Sequence, residues 1–270
     1  MRINTNLNAM IATNQMSKNT ALAGSSMEKL STGLRITKAG DDAAGLAVSE
    51  KMRAQIRGME QAERNVQDGI SMVQTAEGAL EEAGNIAQRM RELGVQAGND
   101  TLSAEDRTKV KEELKQLQDE MTKIADETKF NGKQLLNAAG TFTIQAGANS
   151  ETRTITTADL SDIANNLSLT STNISNASEA QSFVKKVDVA LESINTARSA
   201  LGSMQNRLEY TANNLTTSTE NLTAAESRIR DVDVAKEMVT LSKLNILNQA
   251  SQAMVSQAKQ QPESVSQLLR

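Results

Sequence analysis

The sequence predicts a mainly α fold: a long antiparallel helical bundle or coiled coil with a small β-hairpin region. The first observation is a heptad repeat of apolar residues from Val187 to Ile229. The second is the scarcity of aromatic residues, with three Phe, one Tyr and no Trp among 270 residues. Aromatic side chains ordinarily supply much of the contact area in compact cores. The core must therefore consist of Leu, Ile, Val, Met and Ala.

The first element is an N-terminal helix whose apolar stripe is matched by a similar stripe at the C-terminal end. Neither stripe is covered by neighbouring chain, and an isolated helix of this kind gains little against the entropy of ordering its backbone. We expect both ends to become ordered by packing against other copies. The stripes consist of Ile3, Leu7 and Met10 at one end and of Met238, Leu241, Ile246 and Met254 at the other.

A glycine- and aspartate-rich stretch follows the first helix. Two adjacent carboxylates without further spaced acidic residues make a poor divalent-metal site, and these glycines lack the order of a phosphate-binding loop. We interpret the stretch as a connector between a helix that ends near Gly33 and one that begins near Asp42, with an aspartate as its N-cap. The connector residues are Gly33, Gly40, Asp41, Asp42 and Gly45.

The next elements are two bundle helices with seams of apolar residues at steps of three and four. The first seam runs from Val66 to Met90 and the second from Val110 to Ile124. Gly98 suits the end of the first helix, and Ser103 with Asp106 resembles a capping arrangement for the second. A helical hairpin follows from these signals.

The only alternation with period two lies near residues 140–157, in TFTIQAGANSETRTITT. It predicts a β-hairpin preceded by a turn at residues 130–133. Residues 156–182 are rich in Asn, Ser and Thr and are expected to be irregular surface chain. The heptad helix then begins, and its length is typical of bundles and fibres.

The composition excludes several function classes. Without His or Cys the chain has no Ser-His-Asp triad, cysteine nucleophile, imidazole base or zinc site with nitrogen or sulfur ligands. We expect no enzymatic activity and no cofactor. The net charge of −4, from 29 basic and 33 acidic residues, gives no electrostatic basis for binding nucleic acid. Apolar runs fall far short of the roughly 20 residues that cross a bilayer, so no membrane insertion is expected.

Seven stretches spread over the chain carry a family resemblance. They read MRINTNLNAM, MEKLSTGLRITKAGDDAAGLAVSEKMRAQIRG, QDGISMVQTAEGALEE, QRMRELGVQ, LGSMQNRLEY, NLTAAESRIRDVDVAKEM and the final LLR. All are similar to bacterial flagellin, and the resemblance covers about residues 1–140 and 180–270. It implies a structural subunit of the flagellar filament, which self-assembles into a helical tubular polymer for swimming. A head-to-tail contact that does not close grows into such an open polymer.

The resemblance also implies a domain division. A terminal coiled-coil domain lining the inner tube would comprise residues 1–42 and 230–270, and a rod-like helical domain with the β-hairpin would comprise residues 43–229. Large outer domains would be missing. On this reading Leu268, Leu269 and Arg270 extend the terminal polymerisation stripe.

Partners and localisation are implied in the same way. The subunit would leave the cell through the flagellar type III apparatus without a cleaved signal and reside in the extracellular flagellum. Its partners would be other copies, an export chaperone at the C-terminal segment, the filament cap, hook-junction proteins and a vertebrate toll-like receptor that senses flagellin.

The QRMRELGVQ stretch and the following helix supply the residues for subunit and receptor contacts. From the residues alone, Arg89 and Glu92 form only a surface ion pair on a solvated helix face. In flagellins this patch packs between subunits and contacts the receptor. The residues carried over are Gln88, Arg89, Arg91, Glu92, Leu93 and Glu113.

Three alternatives remain open at this point. A hook-filament junction protein shares the terminal helices, and a non-flagellar coiled-coil adaptor or secretion protein shares the heptads and weak ends. An enzyme based on paired carboxylates is the third, and the composition argues against it.

Overall fold

The computed structural model describes residues 6–167 and 174–268, with side chains described as far as residue 260. Helices account for most of the described chain, which confirms the mainly α fold. The helices are α1 (Leu7–Thr32), α2 (Ala43–Ala97), α3 (Ala104–Glu127), α4 (Leu160–Asn166), α5 (Ala177–Arg230) and α6 (Val234–Leu268). The strands are β1 (Lys129–Phe130), β2 (Lys133–Gln134), β3 (Thr141–Gln145) and β4 (Thr152–Thr156).

The chain forms two compact units. The first comprises Met1–Ala54 and Asn221–Arg270, and the second comprises Gln55–Glu220. Helices α2 and α5 therefore contribute residues to both units.

The first unit is built on the antiparallel pairing of α1 with α6. Asn6 caps α1 by accepting a hydrogen bond from the Ala9 amide at 3.1 Å, and its own Nδ2 donates to the Ala258 carbonyl at 2.6 Å. At the other end of α1, Gly33 has φ 71° and ends the helix in the left-handed conformation. The predicted pairing of the chain ends is confirmed.

The second unit has its core along the predicted apolar seams. On α5, Val187, Ile194 and Leu208 are fully buried. On α2, every predicted seam residue from Val66 to Met90 is buried. The predicted signals at the α2–α3 junction are also confirmed, since α2 ends one residue before Gly98 and the Ser103 side chain accepts from the Asp106 amide at 3.2 Å.

Two small antiparallel hairpins follow α3. Strands β1 and β2 are joined by Asn131 and Gly132, whose φ values of 49° and 77° are those of a two-residue type I′ turn. Strands β3 and β4 form the predicted hairpin, with Phe142 opposite Ile155.

The β3–β4 hairpin lies directly against α2. The Asn65 side chain donates to the Gln145 carbonyl at 3.2 Å. A Cβ atom at Gly69 would fall on the Cδ1 atom of Ile144, so glycine at this position lets the Ile144 side chain pack against the α2 backbone.

The expectation that residues 156–182 are irregular was wrong over part of its length. Residues 160–166 form α4, and α5 already begins at Ala177. Helix α4 is too short to show periodicity in the sequence. It is held by Asp159, which accepts from the Asp162 amide at 2.8 Å, and by burial of Leu160 and Ala164. Residues 168–173 lie outside the described part of the chain.

Candidate interaction surfaces

The interface of the terminal helix pair contains mostly small and polar side chains. Asn19, Ser26 and Ala258 are buried there, together with Leu244. Gln15 donates to the Asn19 side chain at 3.2 Å, and Thr20 to the Asn248 side chain at 3.5 Å. Small residues at the facing positions let two helices approach closely, but they bury little apolar surface.

Most of the large aliphatic side chains of α1 and α6 face outward instead. Five residues of the predicted stripes are between 51% and 65% exposed, namely Leu7, Met10, Met238, Ile246 and Met254. Leu241 is half-buried. Ile3, Leu269 and Arg270 lie outside the described residues, and Leu268 is the last residue of α6, beyond the described side chains.

The outward stripes are longer than the sequence reasoning proposed. Leu22, Val239 and Leu247 are exposed as well. Between the two helices lies a groove of about 620 Å³, which is lined by Ile11, Leu247 and Met254 among others. Each large aliphatic side chain contributes ~1.5–3 kcal/mol when it becomes fully buried. The pair is therefore a surface that gains free energy when something covers it.

The connector between α1 and α2 is hydrogen-bonded to the break between α5 and α6. Leu34 and Asp231 face each other in an isolated antiparallel bridge. The Arg35 amide donates to the Arg230 carbonyl at 2.6 Å, and the Val232 amide donates to the Gly33 carbonyl at 3.0 Å. The turn between α1 and α2 is thus tied to the turn between α5 and α6.

Asp41 closes the turn inside the connector. Its carboxylate accepts from the amides of Thr37 and Lys38, each at 3.1 Å, and from the Thr37 hydroxyl at 3.0 Å. These bonds, led by that from the Lys38 amide, hold the pKa of the Asp41 carboxyl below its ordinary value.

Asp42 is the N-cap of α2, as predicted, and accepts from the Gly45 amide at 2.8 Å. Gly45 itself lies in the first turn of α2 and not in the connecting turn. A Cβ atom at Gly45 would collide with the Asp42 carboxylate and lie 2.8 Å from Cδ1 of the buried Ile36. In the described residues no group of three acidic side chains is placed to hold a metal ion.

The predicted patch on α2 and α3 is a charged, solvent-facing surface. Gln88, Arg89, Arg91 and Glu92 are exposed. Arg89 bridges the two helices, with Glu113 at 3.0 Å on α3 and Glu92 at 3.1 Å on α2. The hydrogen bond to Glu113 is the largest of the contacts that raise the pKa of Arg89 above its ordinary value.

Leu93 does not share this exposure. It is only 2% exposed, because the apolar seam of α2 continues from Met90 with a step of three residues. The resemblance to flagellins carried Leu93 over to this patch together with the charged residues. In the folded chain Leu93 belongs to the packed core.

The sequence reasoning missed ion pairs between α2 and α5, among them Arg91 with Asp188 at 2.7 Å in the second unit and two pairs in the first. In the first unit, Arg53 contacts Glu226 at 2.9 Å and Arg230 contacts Glu50 at 2.5 Å. The available signal was a matched order of opposite charges, three residues apart on one predicted helix and four apart on its antiparallel partner.

No helix in the described part of the chain combines the length and apolar character needed to cross a membrane. This finding agrees with the apolar stripes being narrow faces of otherwise polar helices.

Family models match most of the chain. The model of the bacterial flagellin N-terminal helical region matches residues 3–141, and that of the bacterial flagellin C-terminal helical region matches residues 184–269.

Individual proteins agree with the family match. A flagellin of Halalkalibacterium halodurans is 53% identical over the full length of both chains. A crystal structure of Bacillus cereus flagellin is 35% identical, with a TM-score of 0.52, and the match covers 60% of this chain and 94% of that one. A putative flagellar hook-associated protein from Vibrio parahaemolyticus has a TM-score of 0.57, covering 71% of this chain and all of that one. At 13% identity that likeness shows a shared fold alone.

Proposed function

The chain belongs to the bacterial flagellin family and is a structural subunit of the flagellar filament, and we propose that its terminal helix pair carries the contacts by which copies polymerise. The filament is a homopolymer outside the cell. The observation that carries the proposal is the outward orientation of the large aliphatic side chains on α1 and α6, above an interface of small and polar residues.

The energetics support this assignment. Exposed aliphatic residues occur on both helices of the pair and are 39% to 71% exposed, so a neighbouring copy that covers them gains roughly 1–2 kcal/mol for each. This gain appears only in the polymer and couples ordering of the chain ends to filament growth. The role is structural, and we propose neither catalysis nor a cofactor.

Replacing Ile246 by Ser tests the role of the stripe. Ile246 is 65% exposed, so the substitution leaves the interior of the monomer unchanged and removes an apolar contact from the polymer. We expect slower growth and a higher critical concentration when monomers are added to filament fragments, measured by sedimentation and electron microscopy. Asn245→Ser, at the exposed adjacent position, is the matched control and should polymerise normally.

Equal growth of Ile246→Ser and the unsubstituted protein would contradict the proposal. Circular dichroism of the monomers should be the same for both variants, which separates a failure of assembly from a failure of folding.

We further propose that the functional division follows the helix breaks. Residues 1–42 with 230–270 would form the inner-tube domain, and residues 43–229 the rod. The start of α2 at Ala43 and the end of α5 at Arg230 support these boundaries.

The exposed stripe of α6 also supports binding of an export chaperone to the C-terminal segment before type III export. An apolar face that must remain uncovered until assembly needs protection in the cell. The filament cap and hook-junction proteins, which meet the same terminal helices at the filament ends, complete the proposed set of bacterial partners.

We propose that a flagellin-sensing toll-like receptor contacts Arg89 and Glu113 in the shed monomer. Their exposure and their mutual ion pair across α2 and α3 support this surface, which also includes Gln88, Arg91 and Glu92. The buried Leu93 is left out of it.

Arg89→Ala combined with Glu113→Ala should weaken receptor activation by the monomer several-fold, measured in a reporter cell line. Glu105→Ala, at an exposed position in the first turn of α3, is the control. Undiminished activation by the double variant would contradict the assignment.

A further inference from the structure

We propose that Glu50, Arg53, Glu226 and Arg230 form a charge quartet that sets the axial register of α2 against α5 and thereby aligns the terminal helix pair. All four residues belong to the first compact unit. The ion pairs are Arg53 with Glu226 at 2.9 Å and Arg230 with Glu50 at 2.5 Å.

The apolar seam alone specifies register weakly at this end of α5. Leu201 and Leu208 are buried, but Leu222 and Ile229 are only half-buried. On the α2 side, Leu46 and Met52 are half-buried as well. Half-buried positions lose less packing after a shift of one turn than the fully buried seam of the second unit does, so charge pairs carry more of the register in the first unit.

The quartet has the burial that such a feature needs. The side chains of Glu226 and Arg230 are each only 11% exposed, whereas those of Arg53 and Glu50 are 39% and 50% exposed. Each pair therefore joins one nearly buried charge to one that reaches solvent. Leaving the buried member without its partner is costly, because a buried charge has lost its hydration.

The order of the charges penalises a shift in either direction. Acidic precedes basic along both helices, so antiparallel packing places opposite charges together. A shift of one turn in one direction brings Arg53 opposite Arg230. A shift of one turn in the other direction brings Glu50 opposite Glu226. Both shifts lose the native pairs and create a repulsive one.

The register of α2 on α5 is transmitted to the chain ends through the connector. Arg230 is the last residue of α5, and its carbonyl accepts from the Arg35 amide at 2.6 Å. Helix α1 ends just before Leu34, and α6 begins just after Asp231. A shift of α5 against α2 would consequently break the Leu34–Asp231 bridge and displace α6 along α1.

A disulfide placed across that bridge reports the register directly. The chain has no cysteine, so Leu34→Cys and Asp231→Cys introduce the only two thiols. The flanking hydrogen bonds make Leu34 and Asp231 a non-hydrogen-bonded antiparallel pair. The Cα atoms in such a pair are about 4.5 Å apart, within the range that a disulfide spans.

The test compares the rate of disulfide formation in the full-length monomer for three charge variants of this reporter. Arg53→Glu should slow formation about fivefold, which corresponds to ~1 kcal/mol. Lys51→Glu makes the same change of charge at an exposed neighbouring position and should leave the rate unchanged. Arg53→Glu combined with Glu226→Arg forms two attractive pairs in the native register, against one in either shifted register, and should therefore restore most of the rate.

Disulfide formation in Arg53→Glu at the rate of the reporter protein would overturn the proposal. So would slow formation that the double variant fails to restore, because charge complementarity would then not be the cause. Helical circular dichroism of each variant verifies that the monomer is folded.

The inference rests on the proposed role of the terminal pair in polymerisation, so seeded filament growth is measured separately in variants without cysteine. Arg53→Glu should slow growth and the double variant should restore it. A disulfide that responds to the quartet while growth does not would overturn the link to assembly. Failure of the proposed function itself would appear as normal growth of Ile246→Ser.

Discussion

Replacing Leu208 by Ala is the most direct test of the α5 seam as the core of the second unit. Leu208 is fully buried, and its Cδ1 atom lies near the α2 backbone at Gly69. The substitution removes about three methylene equivalents at ~0.8 kcal/mol each, which gives about 2.4 kcal/mol before any cavity is counted. The remaining cavity raises the expected loss of unfolding free energy to ~2–5 kcal/mol.

The assay is urea denaturation of the monomer, followed by circular dichroism in buffer that prevents polymerisation. Leu222→Ala changes the same residue type two heptads further along α5, where the side chain is half-buried, and should cost clearly less. Tyr210→Ala lies on the opposite face at 74% exposure and should change the unfolding free energy by no more than about 0.5 kcal/mol. A loss at Leu208 as small as that at Tyr210 would refute the buried seam.

The remaining predictions concern the hairpin and the connector. Gly69→Ala should destabilise the monomer because the added Cβ displaces the Ile144 side chain from its packed position. Gly78→Ala, with open space around it, should stabilise the helix by up to ~1 kcal/mol. Changes in unfolding free energy of the same sign for the two variants would contradict the close hairpin contact. The folded-state pKa of Asp41 is lowered, so its contribution to stability is present above the ordinary value of 3.8 and is lost as pH falls through the lower, folded-state value. Asp41→Asn should flatten this acid-side loss of monomer stability, and an unchanged pH profile would show that the closed turn does not matter.

The sequence was a good guide wherever a local pattern carried the information. Heptad spacing identified α5 and its buried residues, and cap residues located helix boundaries at Gly33, Asp42 and Ser103. The Asn131-Gly132 turn followed from its left-handed conformational preference. Each of these signals depends only on residues close together in the chain, so it can be read without the tertiary structure.

The sequence was a poorer guide where neighbours in space decide the outcome. Helix α4 has too few residues for periodicity and depends on burial of Leu160 and Ala164. Leu93 follows exposed charged residues in the chain, yet it lies on the face of α2 that packs in the core. A sequence pattern gives the angle of a residue around its helix but not which side a second helix covers.

The sequence by itself determined the helical architecture, the exclusion of histidine- and cysteine-based catalysis and the apolar stripes at both ends, because composition and periodicity fix these properties locally. Only the tertiary structure decided which face of each terminal helix is used inside the pair. Small and polar residues occupy most of that interface, together with Leu244, and most of the large aliphatic residues are left outside. It also decided that opposite charges on α2 and α5 meet in register, because the contact joins residues about 180 positions apart, as in Arg230 with Glu50. The first set of properties makes a filament subunit recognisable, and the second shapes the surface through which we propose that copies of it assemble.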